Sequence, residues 1–145
     1  MSPDLYYEDV EIGDEIGPLE RTVSRDQVDA FLRIRGANPG PSRFTDDAQA
    51  RRERLPGAIV PGGMNIAMAS QLLTGWSPTV NLKKLEVVFR RAVLHNTPIE
   101  LKGIVTDKHI VDGEACVECD VLIENEDGDA HVIGNATIAL PRRAG

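Results

Sequence analysis

Few side chains in this sequence combine chemical capability with a suggestive spacing. Cys116 and Cys119 form a C-x-x-C pair, the spacing of a redox dithiol or of half a zinc site. They lie in Ala115-Cys116-Val117-Glu118-Cys119-Asp120-Val121, which reads as a strand and sends residues three apart to opposite faces. No second cysteine pair exists to complete a zinc site, and a thioredoxin-like pair would open a helix. They therefore read as structural thiols of a reducing cytoplasm, and no metal is expected. The three histidines are the remaining candidates for a proton-shuttling group. His95 sits in a turn beside Asn96-Thr97-Pro98, His109 at a strand end next to an Asp-Gly turn, and His131 at the start of the last strand. They read as surface or strand residues.

What remains are hydrogen-bonding and cationic groups. Asn38 and Ser42 bracket Pro39-Gly40-Pro41; they either meet a substrate or end a helix and shape a turn. Gly62 and Gly63, followed by Met64, either let a ligand approach the backbone closely or make a tight turn into a helix. Lys83, Lys84, Arg90 and Arg91 stand out in an acidic chain. At most one of Arg90 and Arg91 faces a ligand, because neighbours on a strand point to opposite faces. Solvated strand charge is the other reading. Arg43, Arg51, Arg52 and Arg54 are alternative phosphate contacts or a polar helix face.

The elements that would position these groups follow from the hydrophobic period. Tyr6 to Ile16 reads as an extended lead-in with a Gly13-Asp14 turn, and Leu19 to Ser24 as a short strand. Ser24 and Gln27 make an S-x-x-Q capping box, so a helix begins there with Val28, Phe31, Leu32 and Arg35 at helical spacing. Gly36 to Pro41, with two prolines and two glycines, stops it. Asp46 to Arg54 reads as a short solvated helix. Met64 to Trp76 is apolar on nearly every side, which predicts a helix buried all round and a sheet wrapped about it. After Pro78 the period changes to two. Leu82 with Val87 to Phe89, Ile99 to Ile110, Glu114 to Ile123 and His131 to Leu140 read as four strands. The Asp112-Gly113 and Asp127-Gly128 turns join the later strands as tight hairpins, which makes the sheet antiparallel.

Length and charge set the outer limits. At 145 residues, 41% hydrophobic and 27% charged, the chain reads as one domain over 1–145 with a core that needs neither disulfide nor metal. No stretch approaches the roughly 20 apolar residues of a membrane span, and Met1-Ser2-Pro3-Asp4 lacks the character of a signal peptide. A cytoplasmic chain with no membrane partner is expected. The net charge of −7 argues against nucleic acid but leaves room for one phosphate-bearing small molecule. The acidity is uneven. Asp107, Asp112, Glu114, Glu118, Asp120, Glu124, Glu126, Asp127 and Asp129 face a single Lys108 between Ile104 and Ala130. That places it on the outer face and turns of two hairpin-linked strands, where it would guard exposed sheet edges.

The order of segments resembles the hotdog fold, an α+β architecture in which a curved antiparallel sheet wraps a long buried central helix. More narrowly it resembles the MaoC-like hydratase/dehydratase family along nearly the whole chain. The resemblance is carried by Tyr7 to Asp14, by Phe31 to Pro39, by Gly57-Ala58-Ile59-Val60-Pro61-Gly62-Gly63-Met64, and by Val87 to Val93. In that family the segment after the first helix reads Gly-Asp-x-Asn-Pro-apolar-His. Its Asp and His add or remove water at the β-carbon of an acyl thioester, one moving the proton and the other orienting the water. Here the segment reads Gly36-Ala37-Asn38-Pro39-Gly40-Pro41-Ser42, so the Asp has no counterpart and Pro41 stands at the His position. The family's Ile-Val-His-Gly-Met is likewise altered, to Ile59-Val60-Pro61-Gly62-Gly63-Met64.

The resemblance implies an acyl thioester of the enoyl- or 3-hydroxyacyl-CoA type as substrate, with coenzyme A a carrier and no separate cofactor. It implies that a backbone amide at Gly62 or Gly63 polarises the thioester carbonyl, with Met64 beside it and Arg90 near the coenzyme phosphates. It also implies a dimer, either of this chain or with a related hotdog chain, whose two sheets join edge to edge. Three roles stay open. One is an enzyme with a substituted site built on Asn38, Ser42 and the Gly63 amide, hydrating its substrate or catalysing an isomerisation or cyclisation. Another is a non-catalytic subunit that shapes the acyl tunnel of a heterodimeric hydratase/dehydratase. The third is a ligand-binding regulatory homodimer.

Overall fold

The computed structural model describes residues 3–36 and 40–143. The chain forms strand β1 (Glu15–Arg21), helices α1 (Arg25–Ile34), α2 (Asp47–Arg52) and α3 (Gly62–Thr74), and strands β2 (Asn81–Phe89), β3 (Ile99–Val111), β4 (Glu114–Asn125) and β5 (Ala130–Ala139). The capping box starts α1 as expected. Ser24 Oγ accepts the Gln27 amide at 3.2 Å, and Gln27 Oε1 accepts the Ser24 amide at 2.8 Å. Val28 and Leu32, one turn apart, are buried, and Gly36 follows at φ +77°, a left-handed conformation that suits glycine after a helix.

The five strands make one antiparallel sheet in the order β1-β3-β4-β5-β2. Asp112 (φ 51°) and Gly113 (φ 80°) are both left-handed, as a two-residue hairpin between β3 and β4 requires. Alternate residues Ile99, Leu101 and Val105 of β3, Val117, Cys119, Val121 and Ile123 of β4, and Val132, Ala136 and Ile138 of β5 are buried against Met68, Leu72 and Leu73 of α3. This shared core holds α3 against the sheet, in the α+β arrangement expected.

Four sequence expectations are corrected. The lead-in is not uniformly extended, because Tyr7–Asp9 is a 3-10 turn closed by the Asp9 carboxylate on the Tyr6 amide at 3.0 Å. The first strand begins at Glu15 instead of Leu19; a bulge between Ile16 and Leu19, at Gly17-Pro18, breaks the period that would have revealed it. The third correction concerns α3, which is not buried all round. The sheet covers Asn65, Met68, Ala69, Leu72 and Leu73, whereas Ile66 is 41% exposed and Ala67, Gln71 and Thr74 face outward. Five strands cover one side of a helix, and an apolar composition does not say what covers the other. Finally, the acidic strands β3 and β4 are interior, so their carboxylates guard no edge; the edges are β1 and β2.

Candidate functional site

The N-terminus of α3 is fixed by its approach. The Ile59 amide donates to the Arg43 carbonyl at 3.0 Å, and the Val60 amide donates to the Val93 carbonyl at 2.7 Å. His95 Nε2 donates to the Ile59 carbonyl at 3.2 Å. Pro61 then occupies the N-cap with no side-chain cap. The first amides of a helix have no intrahelical acceptor and carry the positive end of its dipole. No acceptor for the Gly62 or Gly63 amide occurs among the described residues.

Two aromatic rings close on these glycines. A Cβ on Gly62 would lie 3.0 Å from Phe89 Cζ, and one on Gly63 would lie 3.0 Å from Phe31 Cζ and 3.5 Å from Arg35 Nη1. The atoms that approach this pair most closely belong to the side chains of Phe31, Arg35 and Phe89. Arg35 lies 5.6 Å from the centre of the Phe31 ring, one helical turn away, and forms no ion pair with a described residue. One turn into α3, Asn65 is only 3% exposed, and its Oδ1 is buried without a hydrogen-bond donor. The site thus presents free amides, a cation, two apolar walls and an unpaired acceptor nearby on the same helix. In the sequence Phe31 and Arg35 stand on the α1 face and Phe89 in a strand, all three within segments that carry the family resemblance. Nothing in the one-dimensional pattern links them to Gly62 and Gly63.

The other expected residues divide. Asn38 lies outside the described residues. Ser42 is drawn into a turn: its Oγ is 3.3 Å from Thr45 Oγ1 and accepts the Phe44 amide at 3.2 Å. Met64 is half-buried against the core, and its amide donates to the Pro61 carbonyl at 3.0 Å. Arg90 follows β2 directly, with its amide on the His131 carbonyl at 2.8 Å and its side chain exposed and unpaired among the described residues. The neighbouring cations are engaged: Lys83 with Glu114 (3.2 Å), Lys84 with Glu86 (3.2 Å) and Arg91 with Asp129 (3.4 Å). Arg43 pairs with Glu53 at 2.7 Å. The histidines have local work. His109 Nε2 donates to Glu118 at 2.9 Å, and His131 Nδ1 donates to the Ala92 carbonyl at 2.9 Å.

Both cysteines are free and buried. Burial, with Glu118 and Asp120 adding to it, pushes the Cys119 thiol up to about 12, and burial also raises Cys116. Because the thiolate is the reactive form, neither thiol is expected to react with Ellman's reagent near neutral pH until the chain is unfolded in guanidinium, when both should. Rapid labelling of the native protein would contradict this placement.

The fold defines a class before the sequence does: a hotdog protein. No protein-family model matches the chain, and no curated protein matches it. Solved structures do. The R-hydratase PhaJ1 from Pseudomonas aeruginosa is 20% identical with a TM-score of 0.81, covering 97% of this chain and 88% of its own. A MaoC-like dehydratase from Rhodospirillum rubrum is 19% identical with a TM-score of 0.80, covering 97% and 99%. The ChsH1-ChsH2 complex from Mycobacterium tuberculosis is matched at 14% identity and a TM-score of 0.75, covering 90% and 98%. At these identities the likeness establishes the fold, the hotdog fold of MaoC-like dehydratases and R-hydratases.

Proposed function

We propose that this chain binds an enoyl- or 3-hydroxyacyl-type thioester at the N-terminus of α3 and serves as the non-catalytic subunit of a two-chain hydratase/dehydratase. One observation carries the reading. The side chains that close on Gly62 and Gly63 are Phe31, Arg35 and Phe89. None of them can take up and release a proton near neutrality, and Ala37, Asn38, Pro39 and Pro41 have no titratable side chain. Carbonyl polarisation is provided for and proton transfer is not.

In this reading the Gly62 and Gly63 amides, with Arg35 beside them, face the thioester oxygen on which negative charge grows as water adds to the β-carbon. Phe31 and Phe89 wall the acyl group. The partner is a hotdog chain that carries the Asp and His and docks along edge strand β2. Two features support an edge-on partner: half-exposed Phe89 at the end of β2, and the uncovered Ile66 flank of α3.

Arg90 supplies the phosphate contact, because its charge is the unpaired one in the basic run at β2. Arg90→Ala is expected to weaken binding of crotonyl-CoA about ten- to a hundredfold, the worth of one charge-assisted hydrogen bond. It should leave binding of the phosphate-free pantetheine thioester unchanged. Titration calorimetry of both ligands tests this. Equal losses for the two would remove Arg90 from phosphate recognition, and no binding of either would remove the thioester site.

A further inference from the structure

A concavity lies apart from the Gly62–Gly63 site and shares none of its residues. It is a groove of about 860 Å³ on the outer face of the sheet, to which all five strands contribute. The strand register assembles it. Val88 of β2 lies opposite Ile133 of β5, which lies opposite Leu122 of β4, giving an apolar row across three strands. In the adjoining row, Glu86, Asn135, Asp120, Ile104 and Glu15 succeed one another from β2 to β1. Val88 is 54% and Ile104 41% exposed, so this floor is open to solvent.

The charge around the floor is mainly acidic. Glu15, Glu86, Glu100 and Asp120 line the groove against a single lysine, Lys102. That lysine is already held by Glu124 and by Glu100, the latter at 3.3 Å. Glu86 has Lys84 at 3.2 Å, while Glu15 and Asp120 have no cationic partner among the described residues.

We infer that this groove docks a basic amphipathic helix of another protein. Shape favours a helix. Five strands at about 4.8 Å spacing make a trough roughly 19 Å long, and a helix of about 13 residues spans that distance. A single apolar stripe flanked by Lys and Arg would place its apolar side chains on Val88, Leu122, Ile133 and Ile104 and its cations on the carboxylates. A small ligand fits less well, since sites for small molecules enclose most of the ligand and this trough is open along one side. A second copy of this face is disfavoured, because it would set four carboxylates against four more.

The test uses a fluorescent peptide of about 14 residues with leucines at i, i+3, i+4, i+7, i+8 and i+11 and lysines elsewhere. A matched peptide carries glutamate for lysine. Anisotropy should report saturable binding of the basic peptide alone, weakening as salt rises. The double variant Glu86→Lys/Asp120→Lys should weaken it at least about tenfold. The control Glu126→Lys/Asp127→Lys makes the same charge change in the β4–β5 turn and should bind as the parent does. Circular dichroism checks that both variants fold. Equal losses in groove and control variants, or binding of the glutamate peptide, would overturn the inference. So would sedimentation showing self-association that Ile104→Lys abolishes, which would make the occupant a second copy. Dodecylamine binding with the same Glu86/Asp120 dependence, while the peptide fails, would make it a small amphiphile instead.

Discussion

Co-expression with a hotdog chain that carries an intact Gly-Asp-x-Asn-Pro-x-His segment should raise hydration of crotonyl-CoA about 10²- to 10⁴-fold over this chain alone. That range is what a positioned acid–base group contributes to a reaction. The gain is expected to vanish when the partner's Asp is changed to Asn. It should survive Ser42→Ala, because the Ser42 hydroxyl is committed to Thr45 and to the Phe44 amide. A gain lost with Ser42→Ala at unchanged stability would restore this residue to the chemistry. A neighbouring reading frame for such a small chain is the natural source of the partner.

The second large effect is structural and comes from Gly134. A Cβ there would lie 2.2 Å from the Glu86 carbonyl oxygen and 3.1 Å from Val87 Cα. These are backbone atoms of the paired strand β2, which cannot swing aside as a side-chain tip can. Gly134→Ala must therefore lift β2 off β5 around the Val87–Gly134 pair. The expected cost is about 1–3 kcal/mol, the usual range for forced overpacking, read from urea unfolding. Since β2 ends in Phe89, which covers Gly62, thioester binding should weaken in the same variant. A stability within about 0.5 kcal/mol of the parent, the range of ordinary surface changes, would show that β2 gives way freely and that the edge is not rigid.

Much of the scaffold was legible because its signals are local. The Ser24–Gln27 box, the Asp-Gly hairpins and the change of period after Pro78 each act through neighbours in sequence, and each appears as expected. The start of β1 was not legible, since Gly17-Pro18 interrupts the alternation at the bulge. The exposed flank of α3 was not either, because composition reports how apolar a helix is and not how many neighbours it has. The same limit applies to function. Gly62 and Gly63 could be picked out as a backbone pair, but Phe31, Arg35 and Phe89 reach them from elements far apart in sequence. The outer groove is the extreme case. Val88, Leu122 and Ile133 each sit inside a short apolar run of a different strand, and only the β2–β5–β4 register makes them one row. Of the nine acidic residues between Ile104 and Ala130, Asp120 falls in that groove, a placement that net charge alone could not reveal.

The most direct measurement is the rate of crotonyl-CoA hydration by the purified chain alone, at concentrations where calorimetry shows the thioester bound. Binding without hydration above the buffer rate is the predicted result, because none of Phe31, Arg35 and Phe89, the side chains that close on Gly62 and Gly63, is a general acid or base. Saturable hydration by the lone chain would contradict it and return the catalytic role to this polypeptide.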